Sequence, residues 1–332
     1  MRVAATVFAV LLLAVTAGGA DAQARRTAAQ HPPPSQQEPA AQAATAQVIL
    51  KWINGYRHNP EPEKLPSAVK AMSALGLFKD LEQAGIYIGF ISGIIAANPE
   101  RADKLISDMF PLPPEDQVVI VRAIAYSGLR GWKELLQRFI ERMPARKVLI
   151  EHHLYGKGAT FATLDLKSSP AHIDIMWGHY FGSGRFQAIE RILSILAWAK
   201  DGNDTEKLTI GSMAKWTLAN NLQQDPRLLA FAKGELGKLT KENAKELREV
   251  ITAAETFETA AIRKQAMAAL DELRRKGPES ARNAVWWGTA GQTALAFGCI
   301  VASAFGHPEV GIPCVIGGAL SNVALKYLVP QP

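Results

Sequence analysis

From Val48 onward, apolar residues recur at helical spacing in stretches separated by short Gly, Pro and Asn corners, and no long run alternates with period two. That pattern predicts helices throughout and no sheet. Asn98-Pro99 ends one helix and opens the next, because the residue before proline avoids helical backbone while proline suits a first turn. The run Pro111 to Pro114 predicts a rigid joint before a helix over 115–126. Ser127-Gly128 and Gly131 separate that helix from WKELLQRFIERM, and Pro170 precedes a helix over 171–181. Gly182-Ser183-Gly184 and Asp225-Pro226 mark two further corners.

Four of these corners look alike, at 95–106, 125–136, 180–193 and 219–231, although they recur at irregular intervals. Each runs from an apolar helix end through a small or polar corner into a helix carrying Arg or Lys beside Leu or Ile. The expected fold is therefore all-α: an irregular helical-hairpin repeat array, either a HEAT- or tetratricopeptide-like superhelix or a plain bundle. The stretch WGHYFGSGRFQAIE (177–190) resembles a tetratricopeptide corner without keeping that family's spacing.

Two segments depart from the short-helix pattern. The periodicity predicts one long helix over 241–276, capped by Thr240, stopped by Gly277-Pro278 and striped by Leu247, Ile251, Ala254, Phe257, Ala261, Leu270 and Leu273. Residues 152–169, HHLYGKGATFATLDLKSS, interrupt the pattern and predict an inserted loop or small hairpin, a kind of segment that often carries recognition.

The two ends differ from the middle. Arg2, an apolar run over 3–17 and Ala20-Asp21-Ala22 form an export signal over 1–22, cleaved before Gln23. Residues 23–46 hold no aliphatic side chain larger than Ala and read as a disordered linker ahead of a helical domain over 47–282. The last segment, 283–332, contains the nearly uncharged stretch 285–325, whose single formal charge is Glu309. A turn at Gly306 to Glu309 predicts an apolar C-terminal helical hairpin, and Cys299 and Cys314 flank that turn symmetrically. Export makes a Cys299–Cys314 disulfide the expected pairing. The hairpin is expected either to insert in a membrane or to be buried in protein.

The net charge of +6 is spread thinly: the 241–282 segment holds nine basic and eight acidic side chains. That balance argues against nucleic-acid binding. Arg274, Arg275, Lys276 and Arg282, with Trp286 and Trp287 just beyond, form an expected interaction surface for acidic partners or anionic lipid headgroups. Among chemistry-bearing residues, His152, His153, His172 and His179 are the candidate metal ligands, with Asp165 and Asp174 nearby in sequence. His172 and His179 lie seven apart on one expected helix, a spacing that lets them share a face but is not that of a HExxH zinc helix. No nucleophile elbow or phosphate-binding glycine loop occurs.

These observations read best as an exported, non-enzymatic helical scaffold or protein-interaction protein of the cell envelope, periplasmic and without a cofactor. Its expected partners are an envelope protein or further copies of itself. Two alternatives stand beside it. One is a periplasmic helical enzyme with a metal held in the His152–His179 region. The other is a membrane-active or pore-like oligomer built from the C-terminal hairpin.

Overall fold

A computed structural model of the chain describes residues 46–277. They form an all-helical bundle of short helices, with no strand among the described residues. A helix over 46–55 (α1) is followed by α2 (Leu65–Ala74), α3 (Gly85–Ala97), α4 (Ala102–Met109), α5 (Gln117–Ala125) and α6 (Trp132–Arg138). Then come α7 (Lys147–Tyr155), α8 (Ala171–Ser183), α9 (Gln187–Leu193), α10 (Thr205–Gln224), α11 (Pro226–Glu235), α12 (Lys241–Glu255) and α13 (Ala260–Lys276). Short 3₁₀ turns join several of them. HEAT- or tetratricopeptide-type repetition is not established; what organises the bundle is a pair of central helices.

That pair is α3 and α8. Every residue of α3 except Ala97 is buried, and in α8 only His172 and Ser183 keep partial exposure. A helix apolar on all faces is an interior helix. At thirteen residues α3 is about 20 Å long at 1.5 Å per residue. No helix among the described residues is long and apolar enough to cross a membrane.

Glycine sets how closely the two helices approach. A methyl group added at Gly85 would lie 2.5 Å from the carbonyl oxygen of Ala171; at Gly89, 2.1 Å from that of Ile175; at Gly93, 2.4 Å from that of His179. Residue numbers rise together along these contacts, so the helices run parallel. The reverse contacts complete the interface: Gly178 would meet the Ile86 carbonyl at 2.2 Å and Gly182 the Phe90 carbonyl at 2.4 Å. A shift of 89 positions carries the Gly89–Ile175 contact onto Gly178–Ile86, and Gly93–His179 onto Gly182–Phe90. The two helices thus use each other's backbone by a local two-fold relation. Such close approach suits Cα–H···O contacts and brings dispersion contacts between backbones that any side chain would prevent.

Several sequence-predicted boundaries coincide with observed ones. α3 ends at Ala97 and Pro99 opens a 3₁₀ turn; Asp225 caps α11 through hydrogen bonds from the Arg227 and Leu228 amides at 3.0 and 3.1 Å. Thr240 Oγ1 accepts the Asn243 amide at 3.3 Å, and Gly184 ends α8 with φ 67°.

Other expectations are corrected. The helix expected over 241–276 is two helices broken at Thr256–Thr259. Phe257 adopts φ 58°, and the Glu258 amide bonds back to the Ala253 carbonyl at 3.0 Å, closing α12 in a Schellman-type cap. Leu247, Ile251, Ala254, Leu270 and Leu273 are buried as the stripe required, but Phe257 is 76 % exposed and Ala261 is exposed. The chain turns where the stripe would have continued, so that α13 folds back against α10. His152 and His153 belong to the last turn of α7, and the loop that follows, 156–170, contains no strand. Against the expectation of a disulfide and a membrane span, the described residues contain no disulfide and no helix long and apolar enough to cross a membrane. The Cys299–Cys314 pairing and the hairpin over 285–325 lie outside the described residues.

Two polar networks join helices of the bundle, the first of them reaching α8 of this centre. Arg57 donates Nε to Asp225 Oδ2 at 2.9 Å, and Tyr180 donates its hydroxyl to the same oxygen at 2.7 Å. Burial alone would raise the Asp225 carboxyl, but the Tyr180 hydrogen bond and the Arg57 charge hold it below the ordinary carboxylate range. In the second network, Lys215 on α10 is 1 % exposed and its Nζ reaches Glu246 Oε2 at 2.5 Å and Glu249 Oε2 at 2.8 Å on α12. Gln265 of α13 joins them by donating Nε2 to Glu249 Oε1 at 3.1 Å.

Candidate functional site

The histidine region is built by α5–α8 and the loop 156–170. His153 is buried against the edges of Tyr126 and Trp132, with centroid separations of 6.3 and 6.5 Å. Its Nδ1 has no hydrogen-bond partner. Gly158 lies against that ring so closely that a methyl group there would sit 2.5 Å from Nδ1. His179 is 1 % exposed and stacks on Phe161 of the loop at 4.2 Å, with its Nε2 unpartnered. Burial pushes both imidazoles down to about 4, only partly offset by the backbone of Ala159 beside His153 and of Ser127 beside His179. At neutral pH both rings are therefore uncharged.

His172 differs. Its Nδ1–H donates to the Asp165 carbonyl at 2.5 Å, which fixes one end of the loop, and burial lowers its pKa as well. His152 is exposed on α7. Of the four candidate ligands, His152 faces solvent with its ring 6.0 Å from that of its neighbour His153, His172 ties the loop, and His153 and His179 pack on different aromatic rings. Among the described residues no group of three or more His, Cys, Asp or Glu side chains converges as a metal site would. Arg191 of α9 completes the loop's attachment, its guanidinium donating to the carbonyls of Phe161 and Leu164. The loop is an anchored cover over two neutral histidines.

The basic surface expected near the C terminus is partly engaged within its own helix. Arg275 Nη2 and Lys276 Nζ reach Glu272 Oε1 at 2.8 and 2.9 Å and drive that carboxyl down to about 2. Arg282, Trp286 and Trp287 lie outside the described residues, as does the side chain of Arg274.

A different surface combines exposed apolar and cationic groups. Val148 and Tyr155 are 81 % and 76 % exposed and, seven residues apart, lie on one face of α7. Lys133 donates Nζ to the Leu154 carbonyl at 2.9 Å, placing a cation at the C-terminal turn of α7, and exposed Lys157 follows Tyr155. Lys147 precedes Val148. Over 130–157 seven Lys and Arg residues stand against three Glu. Arg138, Arg142 and Arg146 each close a short helical turn, where a cation also complements the helix end. Their spacing of four was a readable signal in the sequence, but it spans three separate turns and so matches no single amphipathic helix. No protein-family model, curated protein or solved structure matches this chain.

Proposed function

We propose that this protein is an exported, non-enzymatic helical scaffold of the cell envelope that engages an acidic segment of a partner protein through the α6–α7 face. The observation that carries this reading is the pairing of Val148 and Tyr155, both more than three-quarters exposed on one face of α7, with Lys133, Lys147 and Lys157 beside them. Large exposed apolar side chains in a cationic setting suit a ligand offering apolar anchors and carboxylates. The export signal read over 1–22 supports the envelope location. The glycine-packed pair α3/α8 supports the scaffold role, because a centre without side-chain slack holds the surface helices in fixed relation.

A photocrosslinking amino acid placed at Tyr155 in the full chain tests this in its own envelope. The expected product is one discrete adduct whose partner peptide, identified by mass spectrometry, is acidic and carries apolar side chains. Its yield should fall roughly tenfold in Lys133→Glu/Lys157→Glu and also fall with salt. The same probe at exposed Lys70 should give no such adduct. A neutral or basic partner peptide, or equal yields from positions 70 and 155, would overturn the reading.

A further inference from the structure

The segment between α4 and α5 borders a cleft of about 460 Å³, lined by Ser107, Phe110, Pro111, Leu112, Gln117 and Arg142. That volume falls within the roughly 300–1,000 Å³ of small-ligand sites. Its chemistry is divided among three kinds of group. Phe110 supplies an aromatic wall, held parallel to Phe139 at 6.2 Å with an interplanar angle of 10°. Arg142 supplies a cation: it is exposed, its guanidinium carbon lies 5.7 Å from the Phe139 ring centre, and among the described residues it has no carboxylate partner. Gln117 supplies an acceptor of fixed orientation.

Gln117 is the most specific of these. It is 7 % exposed, and its Nε2 donates to the Leu112 carbonyl at 3.0 Å, which determines which way the amide faces. The other end, Oε1, has no hydrogen-bond partner. Turning the amide over would set oxygen against oxygen at Leu112, so the vacancy is not relieved by a flip. Leaving a buried acceptor unmet is unfavourable, and a donor from a ligand would remove that cost. The guanidinium is matched to a carboxylate, which it can take in bidentate fashion.

We propose that this cleft binds the C-terminal end of a peptide. Arg142 takes the terminal carboxylate, the last side chain packs on Phe110, Pro111 and Leu112, and the cleft wall adjusts on seating so that a backbone N–H reaches Gln117 Oε1, which has almost no accessible surface beforehand. The ligand class is an amide N–H close to a carboxylate and an apolar group, which a peptide C terminus and a free N-acyl amino acid share. Because Arg142 belongs to the cationic stretch described above, the inference rests on the interaction reading for its choice of a protein-derived ligand.

The test is calorimetric titration of the full chain with acetyl-Ala-Ala-Ala-Leu as free acid, with the same peptide amidated, with N-acetyl-leucine and with inorganic phosphate. Saturable binding of the free acid is expected, with at least about tenfold weaker binding of the amide, a loss equivalent to about 1.4 kcal/mol. Arg142→Gln should weaken the free acid by a similar factor and leave the amide unchanged, while Arg142→Lys retains part of the difference. Gln117→Met should weaken both peptides, with circular dichroism confirming the native helical signal in each variant. Equal binding of acid and amide, no saturation in the millimolar range, or phosphate binding as well as the peptide would overturn the proposal. N-acetyl-leucine binding as tightly as the tetrapeptide would overturn the peptide assignment in favour of a free acylated amino acid. Failure of these titrations with the Tyr155 adduct intact removes this inference alone, whereas loss of the acidic Tyr155 adduct removes the interaction reading itself.

Discussion

The α3/α8 pair and the α10–α12–α13 group solve the same problem, burying helices against helices, by opposite means. In the first, glycine removes side chains until backbone meets backbone, and the contact is set by shape. In the second, Lys215 is placed almost wholly out of solvent and satisfied by Glu246, Glu249 and Gln265 reaching from two other helices. A shape-defined contact tolerates no added atom, and its glycines carry no charge to be screened by salt. A charge-defined contact tolerates changes of shape but not the loss of one partner. The comparison teaches where each half of the bundle is vulnerable.

Adding atoms at the glycine contact should have the largest effect. Gly89→Leu places a branched side chain where even one methyl meets a carbonyl oxygen at 2.1 Å, and backbone on the far side cannot swing away. The expected outcome is loss of the cooperative urea transition at 25 °C. Gly55→Ala is the matched control, since nothing lies within 4 Å of an added Cβ there, and it should stabilise by about 0.5–1 kcal/mol. A native-like urea midpoint for Gly89→Leu would mean that the helices separate at little cost.

Removing one charge from the second contact comes next. Lys215→Met leaves Glu246, which is 3 % exposed, with only the more distant Lys200 at 4.0 Å, and should cost about 3–5 kcal/mol in urea unfolding. Lys215→Met/Glu246→Leu should recover most of that loss, because an apolar pair restores the burial without an uncompensated charge. If the double variant is no more stable than the single one, the network contributes more than mutual neutralisation.

The third effect separates the regions by pH. The backbone carbonyl of His179 lies against Gly93 in the α3 contact, while its ring is buried with a folded-state pKa of about 4, below the value of about 6.5 expected when unfolded. The unfolded chain binds the proton more readily, so this contribution is complete above about pH 6.5 and lost as pH falls toward 4. It amounts to about 3 kcal/mol at most. Urea midpoints should therefore drop from pH 7 to pH 4.5, and His179→Phe should flatten that drop. An unchanged slope in the variant would place the acid sensitivity elsewhere.

Legibility in the sequence followed the same divide. Corners set by local chemistry were readable: Asn98-Pro99, Asp225-Pro226 and the Thr240 cap act on their own neighbours. The break at Thr256–Thr259 was not, because the apolar stripe continues through Phe257 and no glycine marks its left-handed backbone. The spacing of Gly85, Gly89 and Gly93, and of Gly178 and Gly182, is present in the sequence, yet nothing local says that these two segments meet each other. The histidines were legible as chemistry but not as geometry, since only the loop's return under Arg191 decides which rings are covered. Gln117 and Arg142 carried no motif, because the orphaned acceptor arises from where Leu112 places its carbonyl.

Native-state hydrogen exchange tests the central contrast most directly. If backbone-to-backbone packing makes α3 and α8 the last elements to open, their interior amides should exchange only through global unfolding, with the same denaturant dependence as the urea transition. The amides of α13, held through side chains, should exchange earlier through a smaller opening. Protection of α13 equal to or greater than that of α3 and α8 would contradict the account.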